Sequence, residues 1–208
     1  MKNNFIDQNF SKYKAVIFDV DGTLYDLKKM HRYIFWALLS YYFFQPRQFK
    51  DLLIIYWFRR ERERLARAGA KDIANQQYTI VAEKLKLKKE RVEKVVKNWI
   101  LEKPLDYLKK CENKNIKELI KNIFQAKIQI IYYSDYDPRP KVEALGLPTG
   151  EYFDASSPEI DALKPSPVGL EFILQKNNLQ PGDCLLIGDR ADKDGAAAAQ
   201  AGMEFLLV

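Results

Sequence analysis

The chain has 208 residues and a mass of 24.3 kDa, enough for one full core or for one core and a smaller appended unit. With 47% hydrophobic and 30% charged residues it has the balance of a globular protein, which excludes a disordered chain. A formal net charge of +6 and a sequence pI of about 9.1 suit an acidic partner, whether nucleic acid, anionic lipid or a phosphorylated small molecule, without choosing among them.

The opening stretch MKNNFIDQNFSKYK lacks the basic start, apolar middle and cleavage site of a secretory signal, so a cytoplasmic location is expected. KAVIFD, residues 14–19, is β-branched and aromatic, and Gly22 follows it; this predicts a short buried strand ending in a turn. From about Leu27 to Leu101 only Gly69 and Pro46 interrupt the chain. Apolar residues recur there at helical spacing through HRYIFWALL, FKDLLIIYWF, IANQQYTIVAEKL and RVEKVVKNWI, which predicts an insert of about four helices with breaks at Pro46, at Gly69 and near Lys88. YIFWALLSYYFF, residues 33–44, falls well short of the ~20 residues that cross a bilayer. Stable membrane insertion is therefore not expected, and this aromatic helix reads as the packing core of the insert.

Beyond Pro104 the texture alternates. NIKELIKNIF predicts a helix, KIQIIYYS a buried strand, RPKVEALG a helix ended by Gly146, VGLEFILQKNN a helix, DCLLIGD a strand, DGAAAAQAG a helix ended by Gly202, and EFLLV a last strand. Such alternation implies an α/β fold, a Rossmann-like parallel sheet with helices on both faces. The expected domains are an α/β core of residues 1–26 and 105–208 and an all-helical cap of residues 27–104. Cys111 and Cys184 show no metal-finger or redox spacing and read as reduced structural thiols.

In open parallel sheets the binding crevice lies beyond the carboxyl ends of the strands. Asp19 and Asp21, Ser134, Asp189 and Asp194 follow three predicted strands, and Lys164 lies in the loop DALKPSP. Clustered carboxylates repel, so this set calls for a cation. Oxygen ligands without clustered His or Cys favour Mg²⁺. Ser134 and Lys164 can hold an anionic substrate group, and Gly22 and Thr23 can approach it closely.

DVDGTL resembles the first motif of the haloacid dehalogenase-like hydrolases, YYSD the second, LKPSP the third and GDRADKD the fourth, in the family's order. A helical cap after the first motif is similar to that of the phosphoglycolate phosphatase-like branch. The resemblance implies a Mg²⁺-dependent phosphatase acting on a small phosphomonoester. Asp19 would be the nucleophile that forms an aspartyl phosphate, and Asp21 the acid and then the base. Ser134 and Lys164 would hold the phosphoryl group, with Thr23 beside it. Mg²⁺ would sit on Asp19, the Asp21 carbonyl and Asp189, with Asp194 as a further ligand or as the holder of Lys164; Asp192 competes with Asp194 for that place.

Other charged groups have plainer readings. Asp26, Asp135 and Asp137 read as helix or turn starters. The single histidine, His31, reads as structural or surface, and RRERERLARAG, residues 59–69, as a solvated, ion-paired helix face with Arg59 or Arg60 as an alternative substrate contact. A phosphomutase with the same chemistry, and a binding module that uses the basic aromatic cap, are the rival functions. The expected partner is a phosphorylated small molecule, with no nucleic acid.

Overall fold

A computed structural model describes residues 10–208. Residues 1–9, the start of the opening stretch and of the expected core, lie outside the described residues. The first strand, β1 (Ala15–Phe18), is buried along its whole length. The chain then leaves the sheet at Asp26 and returns at Glu112, which divides it into two units: Leu27–Cys111, and the remainder. The return lies beyond the expected boundary at residue 104, because Pro104 does not end the helical insert. It occupies an early position of the 3₁₀ turn Lys103–Tyr107, where its missing N–H leaves no bond unmade.

The inserted unit contains α1 (Leu27–Phe44), α2 (Asp51–Arg67), α3 (Ile73–Leu85), α4 (Lys89–Val96) and α5 (Leu108–Cys111), with a 3₁₀ turn at Pro46–Gln48 and a π-helical turn at Lys97–Glu102. Its core gathers Ile54, Phe58 and Leu65 of α2, Ile73 and Val81 of α3, Val92 and Val96 of α4, and Trp99, each set spaced to share one helix face. Gln77 is buried yet satisfied: its Nε2 donates to the Phe58 carbonyl at 2.9 Å and its Oε1 accepts from Arg62 at 3.0 Å. Within RRERERLARAG, Arg59 and Arg60 are exposed, but Glu61 and Arg62 are buried, so that face is not wholly solvated. Glu61 lies between Arg64 at 2.6 Å and Lys84 at 2.7 Å, the pairing that lets a carboxylate leave water.

Helix α1 corrects a second expectation. It buries only Met30, Ile34 and Tyr42, while Phe35, Trp36, Leu39, Phe43 and Phe44 are exposed. The segment is apolar around most of its circumference, and its neighbours cover only one stripe of it. Among the described residues, no helix is long and apolar enough to cross a membrane.

In the other unit, β2 (Gln129–Ser134), β3 (Glu151–Asp154), β4 (Cys184–Gly188) and β5 (Glu204–Leu207) join β1 in a five-stranded sheet of order β3-β2-β1-β4-β5. Every pairing is parallel. Strands covered on both faces need continuous apolar runs, and β1, β2 and β4 supply them in AVIF, QIIYYS and CLLIG. Phe18 stands opposite Tyr132 on one side and Ile187 on the other, so β1 is central and strand order reverses beside it. Strand β3 was not predicted: EYFD is short, charged at both ends and lies at the sheet edge.

The helices of this unit are α6 (Lys114–Gln125), α7 (Arg139–Leu145), α8 (Val168–Lys176) and α9 (Ala196–Gln200). Helix α6 is capped by Asn113, whose side chain accepts from the Ile116 amide, and it buries Ile116, Leu119, Ile120 and Ile123 on one face. The turn Ala191–Gly195 before α9 is π-helical and overlaps only the first two residues of the predicted helix; such irregularities often accompany functional sites.

The Tyr133 hydroxyl is buried in this unit with no hydrogen-bond partner among the described residues. An unpaired buried donor is destabilising. Tyr133→Phe is therefore expected to leave stability unchanged or raise it by about 1–3 kcal/mol, read from the midpoint of urea unfolding. A clear loss would show that the hydroxyl is bonded in solution.

Candidate active site

The carboxyl ends of β1, β2 and β4 bring their following residues together. The Asp19 amide donates to the Ile187 carbonyl at 2.9 Å, which extends the β1–β4 pairing by one step and fixes the Asp19 backbone. Thr23 is fully buried, and its hydroxyl donates to Asp19 Oδ2 at 3.0 Å. The other oxygen, Asp19 Oδ1, accepts from Lys164 Nζ, which also donates to Asp194 Oδ1 at 2.6 Å. All three charged groups are buried.

Two glycines make room for this cluster. Gly22 has φ +102°, and a Cβ there would collide with the carboxylate of Asp189. A Cβ at Gly188 would lie 2.6 Å from Asp194 Oδ2. That same oxygen accepts from the Arg190 amide at 3.1 Å, so the π-helical turn holds Asp194 inward. Asp192 instead points to solvent and pairs with Arg190 at 2.6 Å. Of the two competing acids, Asp194 is the one the fold turns into the cluster.

Asp19, Asp189 and Asp194 each present a carboxylate oxygen within 4.8 Å of the others. One ammonium balances only part of this charge. Asp189 Oδ1 is buried without a hydrogen-bond partner among the described residues. An orphaned carboxylate oxygen among all-oxygen donors fits a hard divalent cation such as Mg²⁺. Burial pushes the Asp19 carboxyl up to about 7 against the pull of Lys164. Burial and the neighbouring Asp194 also raise Asp189. For Lys164, burial alone would lower the ammonium, but Asp19 and Asp194 hold it well above its ordinary range.

Asp21 has a separate environment. Lys141 Nζ donates to its two oxygens at 2.5 and 2.7 Å, the Tyr25 hydroxyl donates to Oδ1, and the Ser134 hydroxyl lies 3.2 Å from Oδ2. Burial alone would raise this carboxyl; Lys141 first, then Tyr25 and Ser134, outweigh it and hold Asp21 below the ordinary aspartate range.

Lys141 and Tyr25 were not among the sequence candidates. Tyr25 lies four residues after Asp21 and carried no charge to draw notice. Lys141 left little trace: it sits in the first turn of α7, where the helix dipole mildly disfavours a cation, but so does Arg139. The plainer readings also find their places. Asp137 accepts from the Arg139 amide at 3.0 Å at the start of α7, Asp26 immediately precedes α1, and His31 is exposed.

A family profile described as haloacid dehalogenase-like hydrolase matches residues 13–202. A search of curated proteins returns no match. Among solved structures, the chain is similar to a 2-haloacid dehalogenase from Pseudomonas syringae pv. Tomato DC3000, at 18% identity, 94% coverage of this chain and 86% of that one, and a TM-score of 0.63. The HAD-hydrolase YfnB from Bacillus subtilis, solved bound to magnesium, is similar at 15% identity, coverage of 94% and 88%, and a TM-score of 0.63. A predicted phosphoglycolate phosphatase from Haemophilus somnus 129PT is similar at 19% identity, coverage of 94% and 85%, and a TM-score of 0.56. Identities this low establish a shared fold and nothing finer.

The Lys141–Asp21 pair has a defined pH signature. A carboxyl held below its unfolded value stabilises the fold above that value, and the contribution is lost as pH falls through the folded one. Lys141→Met is expected to lower stability by about 1.5–3 kcal/mol at neutral pH. The gap from the parent should narrow below about pH 4, as measured by urea unfolding across pH. A gap independent of pH would mean that Lys141 acts through packing alone.

Proposed function

This chain belongs to the haloacid dehalogenase-like hydrolases, and within that family we propose that it is a Mg²⁺-dependent phosphatase hydrolysing a small phosphomonoester. The observation that carries this reading is the cluster of Asp19, Asp189 and Asp194, with one buried oxygen of Asp189 left unbonded. Attack on a phosphate dianion by a carboxylate needs a cation to screen the approach. Attack on the uncharged carbon of a haloacid does not, and would leave Asp189 and the orphaned oxygen without a purpose.

Mg²⁺ would be held by the Asp19 and Asp189 carboxylates and the Asp21 carbonyl, with Asp194 close by. When bound, it supplies charge screening for the phosphoryl oxygens and keeps Asp19 ionised. Thr23 and Lys164 orient Asp19 so that one carboxylate oxygen attacks phosphorus. The ester P–O bond breaks, and Asp21 gives a proton to the leaving oxygen. Asp21 then takes a proton from water as that water attacks the aspartyl phosphate, releasing inorganic phosphate and restoring the Asp19 carboxylate. Ser134 and Lys164 stabilise charge on the transferred group. Lys141 keeps Asp21 ionised before substrate arrives, so the acid step requires the ammonium to shift toward the incoming phosphate dianion and Asp21 to take up a proton from solvent; that proton is the one passed to the leaving oxygen.

Phosphate release from a panel of phosphomonoesters tests the proposal. The parent should require Mg²⁺ and return to background on chelation, and Asp19→Asn should be slower by at least about a thousandfold. An Asp19→Asn variant as fast as the parent would overturn it.

A further inference from the structure

The exposed aromatic face of the inserted unit has no part in the chemistry above. It is concentrated at the corner between α1 and α2, where Phe43 is 77%, Phe44 75% and Phe49 62% exposed. From that corner it runs back along α1 through Leu39, Trp36 and Phe35, and forward along α2 through Leu53 and Tyr56. The corner itself is firmly held. Tyr41 donates to Gln48 Oε1 at 2.8 Å across the 3₁₀ turn, and the Tyr42 and Phe49 rings pack edge to face at 6.2 Å. The apolar side chains therefore project from an ordered turn. Arg47 and Lys50 are exposed among them, with Arg32, Arg59 and Arg60 exposed farther along the two helices.

Charge selects the occupant of this face. Residues 27–111 hold 21 Lys and Arg against 9 Asp and Glu, a formal +12, whereas the rest of the chain holds 13 against 19. A second copy of the unit would bring like charges together over the same surface. Nucleic acid offers phosphate for the basic residues but no apolar medium for Leu39, Phe43 and Leu53. An anionic bilayer offers both: negative headgroups for the Lys and Arg, and an acyl boundary for the Phe, Leu and Trp side chains. We propose that the α1–α2 corner of the inserted unit docks on an anionic phospholipid surface, with Phe43, Phe44 and Phe49 entering the headgroup region and Arg47 and Lys50 at its rim. This is peripheral attachment; among the described residues no helix is long and apolar enough to cross a membrane.

The test uses the full chain and vesicles of phosphatidylcholine with or without phosphatidylglycerol. The parent should float with the anionic vesicles, be released by salt, and show a blue shift of tryptophan emission as Trp36 leaves water. Phe43→Ser with Phe44→Ser should weaken vesicle binding by at least about tenfold while Tm, far-UV dichroism and hydrolysis of a soluble phosphomonoester stay as in the parent. Arg47→Glu with Lys50→Glu should remove the preference for anionic vesicles. Failure of the parent to bind anionic vesicles at low salt would overturn the proposal, as would equal binding by the serine variant. Concentration-dependent dimerisation lost in the serine variant, without vesicle binding, would assign the face to a second copy instead.

Discussion

The arrangement of the α/β unit depends on one ammonium ion. Lys164 reaches from the loop before α8 to Asp19 and Asp194, and all three groups are buried. A lone buried carboxylate is penalised by several kcal/mol after relaxation, so two acids at a sheet edge need a cation supplied by another part of the chain. The surrounding detail follows from that requirement. Gly188 leaves space for Asp194, the π-helical turn aims it inward, and Thr23 takes the Asp19 oxygen that Lys164 does not.

The two aspartates of DVDGT sit two residues apart yet have opposite environments. Burial dominates at Asp19, and a dedicated lysine dominates at Asp21. Before a cation binds, these directions, up at Asp19 and down at Asp21, run opposite to what an ionised nucleophile and a protonated acid need, so the proposed roles require a cation beside Asp19 and displacement of Lys141 from Asp21. Here each aspartate has its own ammonium, Lys164 for one and Lys141 for the other. In the proposed reaction a substrate anion would meet two cations that are already engaged.

Much of this was legible in the sequence. AVIF and CLLIG read as strands because a strand covered on both faces must be apolar throughout, and the acids after them stood out because charge at the end of such a run needs a reason. Lys141 was not legible in the same way. Its meeting with Asp21 joins residues 120 positions apart in the chain, and no local spacing records that. EYFD becomes a strand only through pairing with β2. On α1, periodicity identified a helix, but a helix apolar on nearly every side does not announce which side its neighbours will cover. The return at Glu112 was hidden by Pro104, a breaker in most settings and harmless in the first turn of a 3₁₀ segment.

The central strand comes first in the chain and is then separated from its neighbours by the whole inserted unit. Ala15 pairs with Gln129 and with Cys184, so the middle of the sheet closes two of the longest loops available in the sequence. Contacts this distant slow folding, because their closure entropy is lost before pairing repays it. During synthesis the helical unit emerges complete while β1 still waits for β2, and AVIF stays unpaired for that interval. An apolar strand without neighbours is an aggregation hazard, so the hazard for AVIF is greatest in the interval before β2 is made.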